Sequence, residues 1–416
     1  MRMHVHVLGV FTTAFGKQVE KSYKDLVREA VFGAVNDAGL ADASSVGSAW
    51  FGNCNMALWG QANIRGQVCL APLVSEGFLR EGAPVTNVEG GCATGSLAFH
   101  GACKDILAGA ADLCLAVGAE KMFFPDADTT RAQFLSGVDR LDIDGWQKDF
   151  HELGVASGRP FEPSPDRVLF VDVYAMKASL HMKRHGTTAL QMAQVAAKNH
   201  TASQLNEKAH YRSPMTAEQV LADRVVCSPL TRSMCAPLSD GASAVLVCSD
   251  RFLNSLPKAA RERTVRVRAA ALVGGRARTV DEPSVTRRAA ERLYNRAGLT
   301  PSNIRFAEVH DATSWSEIDA IEALGFCPIG DGGAFSASGA TERTGIKPVN
   351  VSGGLVSKGH PLAATGLTML EEVTRQLRGE AGARQIARAD VGLAHNAGGM
   401  IGIDEATCSL VVLERR

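Results

Sequence analysis

The sequence predicts a duplicated α/β fold, in which two related halves flank an inserted segment, and two observations support this prediction. A helix pattern that ends at Ala-Gly-Leu, followed by a polar turn and an apolar strand, occurs at residues 26–52 and again at 285–312. A glycine-rich corner that leads into a helix of small residues follows Asn-Val in both halves, after positions 87–88 and 350–351. Strands and helices that alternate within each copy predict stacked layers, with helices packed between sheets.

The repeats divide the chain into three parts. The first half comprises residues 1–119 and 226–258, and the second half comprises residues 259–416. Between them, residues 120–225 are richer in Asp, Pro and charge and contain two helix patterns, VYAMKASLHMKRHG and ALQMAQVAAKNHTASQLN. Long insertions commonly cover a functional site, so we expect this one to form a loop domain over the site.

Length, charge and hydropathy exclude several classes of protein. The chain has 416 residues, enough for a large core, and Lys plus Arg balance Asp plus Glu at 44 each. This balance gives no overall positive field for nucleic acid or an anionic membrane. No apolar run has the length of a membrane span, and MRMHVHVLGVF is typical of a strand rather than a signal peptide. We therefore expect a cytoplasmic protein that binds neither nucleic acid nor membrane.

The ten cysteines are predicted to be reduced thiols, most of them small buried residues. Their spacing includes no C-x-x-C pair and no Cys/His ligand pattern, so we expect no metal site. One cysteine, Cys92, follows two glycines at a strand-to-helix corner, in PVTNVEGGCATGSLAFHG. A corner of this kind presents a side chain to a substrate. The cysteines stand at positions 54, 69, 92, 103, 114, 227, 235, 248, 327 and 408.

Cys92 has the sequence context of a nucleophile. A helix N-terminus and a nearby imidazole both favour the thiolate over the thiol. Attack of that thiolate on a thioester or ketone builds negative charge on oxygen, which backbone N–H groups can stabilise. Glycines let the backbone approach closely enough to do so. The sequence therefore predicts an activated thiolate with an oxyanion site in the glycine-rich turns.

Three histidines follow predicted strands or corners in the second half. His310 follows a strand in EVHDATS, and His395 follows the last core strand in LAHNAGGM. His360, in SKGHPLAATG, occupies the corner that the repeat makes equivalent to the cysteine corner. Equivalent strand ends meet in a duplicated fold, which favours a nucleophile–base constellation over three unrelated structural histidines. No G-x-G-x-x-G or G-x-x-x-x-G-K-[ST] pattern predicts a nucleotide site.

At these positions the sequence resembles the thiolase superfamily, and most closely the sterol-carrier-protein-type thiolases. The blocks GGCATGSLAF, PLTRSMCAPLSDGASAVLV, EVHDATS, NVSGGLVSKGHPLAATG and HNAGGM are similar to that family's blocks and stand in the same order. The resemblance covers essentially the whole chain. It implies a five-layer αβαβα fold, a homodimer or tetramer, and acyl-coenzyme A (acyl-CoA) substrates. Coenzyme A would be a substrate, and no cofactor would be bound permanently.

The resemblance also implies residue roles. Cys92 matches the family's nucleophile, and His360 matches the histidine that activates it and binds the thioester oxygen. His310 matches the first residue of the HDCF loop. His395 stands where ordinary thiolases carry a second, acid/base cysteine. Predicted substrate contacts are Ser357, Ala397 and Gly398.

The alanine at position 312 departs from the family pattern. The HDCF loop of this subgroup carries an acid/base cysteine there, and His395 replaces the corresponding cysteine of ordinary thiolases. Neither usual thiol is therefore present. The imidazole of His395 or His310 can transfer the proton instead, and we favour His395 because its glycine-rich loop is expected near Cys92. A small Ala312 would also leave room for a bulky acyl group.

The sequence thus predicts an acyltransferase that makes or breaks a carbon–carbon bond of a bulky 3-oxoacyl-CoA, by Claisen or retro-Claisen chemistry, through an acyl-enzyme on Cys92. Two alternatives within the same fold are acyl transfer to carbon and aldol cleavage. A third alternative is a catalytically silent subunit that binds acyl-CoA and supports a partner. The resemblance also implies a small OB-fold/zinc-ribbon partner protein, as in bacterial relatives of this kind.

Overall fold

The computed structural model describes residues 4–163 and 168–416. Within these ranges the chain forms eleven strands and fifteen α-helices. The strands are β1 (Val5–Thr12), β2 (Ser48–Gly52), β3 (Val85–Val88), β4 (Leu113–Glu120), β5 (Val225–Cys227), β6 (Leu230–Thr231), β7 (Gly241–Ser249), β8 (Val265–Gly274), β9 (Phe306–Glu308), β10 (Val391–Ile401) and β11 (Asp404–Arg415).

The helices include the ones that the repeats predict, at α1 and α11 and at α3 and α15. They are α1 (Tyr23–Asp37), α2 (Arg65–Ser75), α3 (Thr94–Leu107), α4 (Ala127–Ala132), α5 (Ile143–Ser157), α6 (Leu169–His185), α7 (Ala189–Ser203), α8 (Ala217–Ala222), α9 (Asp250–Ser255), α10 (Lys258–Arg263), α11 (Val285–Ala297), α12 (Ser314–Ala323), α13 (Gly332–Ala337), α14 (Gly354–Lys358) and α15 (Leu362–Arg378).

The strands repeat one pairing pattern in the two halves. In the first half the order is β3-β2-β4-β7-β1, and β4 lies parallel to β2 and antiparallel to β7. In the second half the order is β8-β11-β10-β9, and β10 lies parallel to β9 and antiparallel to β11. Among the described residues, β1 and β8 join the two sheets through two residue pairs, His6–Arg266 and Val7–Val265. This pattern confirms the predicted duplication.

Helices α3 and α15 form the layer between the two sheets. One buried apolar cluster combines these helices with strands of both halves, including Phe99 of α3 and Leu370 of α15. The helices cross closely because a Cβ on Gly95 would lie 2.4 Å from the Ala363 carbonyl oxygen, and one on Gly366 would lie 2.2 Å from a side-chain oxygen of α3. Helices α1 and α2 cover the outer face of the first sheet, and α11 and α12 cover that of the second. The result is the predicted order of five layers.

The segment between β4 and β5 is helical in its described part and packs on the second half. Helices α6 and α7 coincide with the two helix patterns predicted there. Two buried ion pairs fasten them, Lys177 to Glu405 at 3.0 Å and Lys198 to Glu317 at 2.6 Å. Whether this segment behaves as a separate domain stays a prediction. Among the described residues, no helix has both the length and the apolar character needed to cross a membrane.

Candidate active site

The corner that carries Cys92 is built by glycine and by one threonine. After β3, the chain makes a single 3₁₀ turn and enters α3, and Gly91 has φ +56° at the bend. The Thr94 hydroxyl donates to the Gly91 carbonyl (2.7 Å) and accepts from the Gly90 N–H (2.9 Å). A Cβ on Gly91 would lie 2.6 Å from the Gly399 nitrogen, so only glycine fits. The end of β10 therefore presses directly on the nucleophile corner.

Strand β10 also holds the backbone of Cys92 itself. The Asn396 side-chain amide donates to the Cys92 carbonyl (3.0 Å) and to the Ser96 hydroxyl (3.2 Å). A Cβ on Gly398 would lie 2.5 Å from the Cys92 nitrogen. The alternate residues 396 and 398 of this strand thus face the corner, and the bond and the close approach fix the thiol in position.

His360 occupies the equivalent corner of the second half, just before α15. Its Nδ1 lies 2.7 Å from the Thr365 hydroxyl, which donates its one proton to the Pro361 carbonyl (2.9 Å). The hydroxyl must therefore accept from Nδ1–H, which leaves Nε2 of the neutral ring with a free lone pair. That Nε2 is buried and has no hydrogen-bond partner among the described residues. The local contacts thus leave an unprotonated ring nitrogen on His360.

The two corners and the loop after β9 bring Cys92, His310 and His360 together. The thiol sulfur and one nitrogen of each ring all lie within 4.8 Å of one another. The two imidazole rings meet edge to face, with centroids 5.2 Å apart. The Nε2 atom of His310 is also buried without a partner in the described part of the chain. The structure therefore assembles three of the four predicted catalytic residues.

Burial keeps all three groups neutral. It raises the pKa of Cys92 to about 12, although the residue's own backbone N–H favours the thiolate. It lowers the pKa of His310 to about 4 and that of His360 well below its usual range. Burial thus favours the neutral thiol over the thiolate that the sequence context predicted, because loss of hydration opposes the effect of the helix N-terminus.

His395 does not join this cluster. Its Nδ1 accepts the His310 backbone N–H (3.3 Å), so its Nε2–H donates to the Thr286 hydroxyl (3.0 Å) on α11. Both ring nitrogens are thus occupied, and burial lowers the pKa of His395 to about 3. The geometry argues against the proton-transfer role predicted for this residue. The role of His395 stays a prediction, but side chains of a strand alternate, and the one that faces Cys92 is that of Asn396.

Two of the three predicted substrate contacts also point elsewhere. Ala397 packs in the apolar cluster between the second sheet and its outer helices. The Ser357 hydroxyl is fully buried and bonds to the Ser203 hydroxyl (2.7 Å) and the Tyr211 carbonyl (3.2 Å). Gly398 lies at the Cys92 corner, where it permits close packing. Neither Ala397 nor Ser357 belongs to the cavity wall described next.

A cavity of about 740 Å³ opens beside Cys92 and His360. Its wall is largely apolar, and the inserted segment supplies one side while the ends of β10 and the loop after β9 supply the other. The sequence predicted that the insertion covers a site but named none of its residues. The apolar lining includes Phe134, Val138, Phe170, Val171, Tyr174, Leu238, Ala312, Leu362 and Met400.

Two further thiols lie in this wall, Cys54 and Cys235, and neither was singled out in the sequence. Cys235 lines the cavity beside Ala312, because the Ala236 N–H donates to the Ala312 carbonyl (3.0 Å) and Cys235 pairs with Thr313 in an isolated antiparallel bridge. Burial raises the pKa of Cys235 to about 12. The block PLTRSMCAPLSDGAS contains this cysteine, and that block was the one available signal. The position that lacks the usual thiol thus has another thiol next to it.

A carboxylate supports the corner from behind. Glu120, at the end of β4, accepts from the backbone N–H groups of Cys54 (3.1 Å) and Asn55 (3.0 Å) and from the Asn53 side chain (3.0 Å). Cys54 in turn contacts the Gly91 carbonyl at 3.3 Å. Burial raises the pKa of Glu120 to about 7, although these donors oppose the change.

Fold and site together define an enzyme, with a thiol and two imidazoles at the mouth of a cavity on a duplicated five-layer fold. Comparison with known families identifies which kind. Residues 5–251 match the model described as thiolase, N-terminal domain, and residues 259–412 match thiolase C-terminal domain-like. The chain belongs to the thiolase family. It is an acyltransferase-type enzyme with acyl-CoA thiolase-type chemistry, as the sequence predicted.

Individual relatives agree with this assignment. The chain is 36% identical to an acetyl-CoA acetyltransferase of Methanothermobacter thermautotrophicus, over 95% of this chain and 96% of that relative. It is 32% identical to sterol carrier protein 2 of Rattus norvegicus, over 95% and 70%. It is 29% identical to the benzoylsuccinyl-CoA thiolase subunit BbsB of Thauera aromatica, over 95% and 94%.

Solved structures confirm the fold. The Ltp2-ChsH2(DUF35) aldolase superposes with a TM-score of 0.74 at 22% identity, covering 99% of this chain and 98% of that one. The Acat5 thiolase from Ascaris suum in complex with coenzyme A gives a TM-score of 0.67 at 18% identity, covering 99% and 100%.

Proposed function

We propose that this enzyme makes or breaks the bond between C2 and C3 of a 3-oxoacyl-CoA through an acyl-enzyme on Cys92. The observation that carries the proposal is the cluster of the Cys92 sulfur with one nitrogen each of His310 and His360, within 4.8 Å of one another and beside the cavity. Coenzyme A enters and leaves as a substrate.

In the cleavage direction, Cys92 attacks the 3-keto carbon while Nε2 of His360 takes the thiol proton. Attack and proton transfer coincide, because burial disfavours a free thiolate and a free imidazolium alike. The backbone N–H groups of Cys92 and Gly399, which lie at the contact between the corner and β10, are candidates to stabilise the oxyanion. The C2–C3 bond then breaks, its electron pair passes to the enolate, and free coenzyme A releases the acyl group.

His310 is our candidate, in place of His395, for the group that carries the thiol proton from His360 to the enolate. Its Nε2 accepts that proton from the neighbouring His360 ring and then donates it to the enolate carbon. Its Nε2 is free and adjacent to Cys92, whereas both nitrogens of His395 are bonded. The rival is the Cys235 thiol beside Ala312. His310→Gln with normal acylation but turnover reduced by about 10²-fold supports imidazole, because general acid catalysis contributes that much. The same pattern in Cys235→Ser alone assigns the step to the thiol.

The acyl group is proposed to be bulky. The cavity is large and mainly apolar, and Ala312 contributes only a methyl group to its wall. The relative named for benzoylsuccinyl-CoA gives an example of such a substrate. Turnover of branched or aromatic 3-oxoacyl-CoA thioesters at rates at least tenfold above acetoacetyl-CoA would support this. Ala312→Cys should then narrow the range of acyl groups that the enzyme accepts. A preference of the unmodified enzyme for acetoacetyl-CoA would contradict the proposal of a bulky acyl group.

The decisive experiment is intact-protein mass spectrometry after incubation with a panel of 3-oxoacyl-CoA thioesters. One acyl adduct per chain on Cys92, absent in Cys92→Ala and present in Cys235→Ala, supports the proposal. An aldolase, which one structural neighbour exemplifies, would give a ketone or aldehyde product and no acyl adduct. Adducts without turnover on every thioester would indicate a silent acyl-CoA-binding subunit.

We also propose a homodimer. Strand β3 is the outer strand of the first sheet, so one row of its backbone N–H and C=O groups is open to a second copy. Thr86 is exposed on that strand. Thr86→Lys should weaken association, measured by light scattering on a sizing column. An unchanged molar mass would place the interface elsewhere.

A small OB-fold/zinc-ribbon partner remains part of the proposal. A neighbour solved as a complex with a DUF35 protein and a relative named as a subunit both support it. The chain has exposed apolar side chains close to the cavity wall, namely Leu135, Leu141 and Ile143. We also propose a cytoplasmic location, where the ten cysteines, all thiols in the structure, would stay reduced.

A further inference from the structure

The cluster at Cys92 has the composition of a metal site, although the cysteine spacing predicted none. A thiolate and two imidazoles are the ligands that Zn²⁺ prefers, and catalytic zinc sites commonly combine three protein ligands with one open position. We propose that Cys92, His310 and His360 bind a single Zn²⁺ ion, which withdraws the nucleophile and inhibits the enzyme reversibly. Metal binding itself does not rest on the proposed function, and only the inhibition does.

The ligand atoms are close to the required geometry. They lie within 4.8 Å of one another, whereas bonds of about 2.0–2.3 Å in a tetrahedral site separate ligands by about 3.3–3.7 Å. Side-chain rotations that move the ligand atoms by roughly 1 Å close that difference. The backbone on which Cys92 stands is held by Asn396, so the adjustment falls on the thiol and the two rings. The cavity beside Cys92 supplies the fourth position for water.

The His360 ring offers a lone pair rather than a proton, and zinc would require the same tautomer of His310. The Thr365 contact places the hydrogen of His360 on Nδ1, as zinc-bound histidines require of their second nitrogen. The Nε2 atoms of His310 and His360 are buried and lack partners in the described residues, so coordination would satisfy two polar atoms at once.

Zinc binding is coupled to proton release. Binding replaces the Cys92 thiol proton, which passes to solvent, with Zn²⁺, so one proton is released per ion. A buried carboxylate that bears on the site, Glu405, is already paired with Lys177 at 3.0 Å and supplies no free negative charge.

Zinc binding can be measured without any thioester. Reduced full-length protein, stripped with a chelator and desalted, is titrated with ZnCl₂ in competition with a chromophoric chelator. We expect one ion per chain and about one proton released. Cys92→Ala and His360→Ala should each weaken binding by at least about 10²-fold, whereas Cys235→Ala, which removes another thiol from the same cavity, should not. Binding that survives Cys92→Ala, or no stoichiometric binding, overturns the proposal.

Cobalt gives an independent readout of the ligands. CoCl₂ in place of zinc should produce visible bands of a tetrahedral ion and a near-ultraviolet thiolate-to-cobalt band, and Cys92→Ser should remove the latter. His310→Gln, a milder change than alanine, should alter the visible bands while its melting temperature stays near that of the parent. An octahedral cobalt spectrum in the parent protein contradicts the site. A tetrahedral spectrum in a protein that forms no acyl adduct would leave zinc binding intact and reject the proposed thiolase chemistry.

Discussion

The Cys92 corner and the His360 corner are equivalent positions of the repeat, and one presents a thiol while the other presents an imidazole. Each precedes a helix of the central layer, and each faces the end of a strand from the other half. Asn396 and Gly398 of β10 contact the Cys92 corner. On the other side, a Cβ on Gly118 of β4 would lie 1.9 Å from a carbonyl oxygen in the first turn of α15.

The difference lies in what braces the reactive side chain. The His360 ring is set by a bond from its own helix, to Thr365, whereas Cys92 has its backbone fixed by the opposite strand. An imidazole has two nitrogens, so one can be anchored while the other works. A thiol has one reactive atom, so only its backbone can be anchored. The duplication gives both corners the same backbone arrangement, and the chemistry of each reactive side chain determines which of its atoms are anchored.

Removing the base should have the largest effect. His360→Ala removes the ring nitrogen that is proposed to accept the Cys92 thiol proton. Acylation should therefore fall by about 10³-fold. Thr365→Val removes the contact that fixes the tautomer and should cost less, about tenfold. Stopped-flow acylation with one thioester measures both. If Thr365→Val slows acylation as much as His360→Ala does, the acylation rate depends mainly on the Thr365 contact that orients the ring.

The next largest effect should come from Glu120, which lies behind the Cys92 corner. It should appear in the pH dependence of the free energy of unfolding. Glu120 has a folded pKa of about 7, above its unfolded value near 4.5, so its protonated form is favoured in the fold. Stability should therefore be highest below about pH 4.5 for this group and fall by on the order of 3 kcal/mol as pH rises to 7.

Glu120→Gln tests this, because the neutral side chain cannot ionise. Melting temperatures measured between pH 5 and 8 should fall with rising pH in the parent and flatten in the variant. A variant that keeps the parental slope would show that other groups cause it.

The two close approaches should be equally intolerant of a methyl group. Gly118→Ala and Gly398→Ala each push a Cβ within 2.5 Å of backbone atoms at the opposite corner, and each should cost about 2 kcal/mol of stability. Gly274→Ala is the matched control, since a Cβ there meets nothing within 4 Å. Urea unfolding measures all three. A stable Gly118→Ala would break the symmetry between the corners.

The smallest effect should follow loss of the Cys92 anchor. Asn396→Ala removes one hydrogen bond to the Cys92 carbonyl, so acylation should fall by about fivefold, equivalent to about 1 kcal/mol. Iodoacetamide labelling of Cys92 reports the same loss without substrate. Unchanged rates in both assays would assign the positioning of the thiol to the glycine contacts alone.

Much of this site was predictable because it is repeated. The glycine corners, the small-residue helices and the alternation of strands and helices are local patterns, and their recurrence placed Cys92 opposite His360. The same reasoning did not foresee where the side chains of His395, Ala397 and Ser357 lie, since a motif gives proximity in the chain but not the face on which a side chain lies. On a strand, a shift of one residue moves the side chain to the other face.

The sequence by itself determined the duplicated fold, the family, the Cys92 corner and the missing thiol at position 312. Each of these features depends on a short contiguous segment with its own conformational preferences. Only the tertiary structure decided that His310 rather than His395 faces Cys92, that Cys235 lies beside Ala312, and that burial favours the neutral thiol. These depend on contacts between residues far apart in the chain and on the loss of water around them. Burial and long-range packing exist only once the five layers have closed.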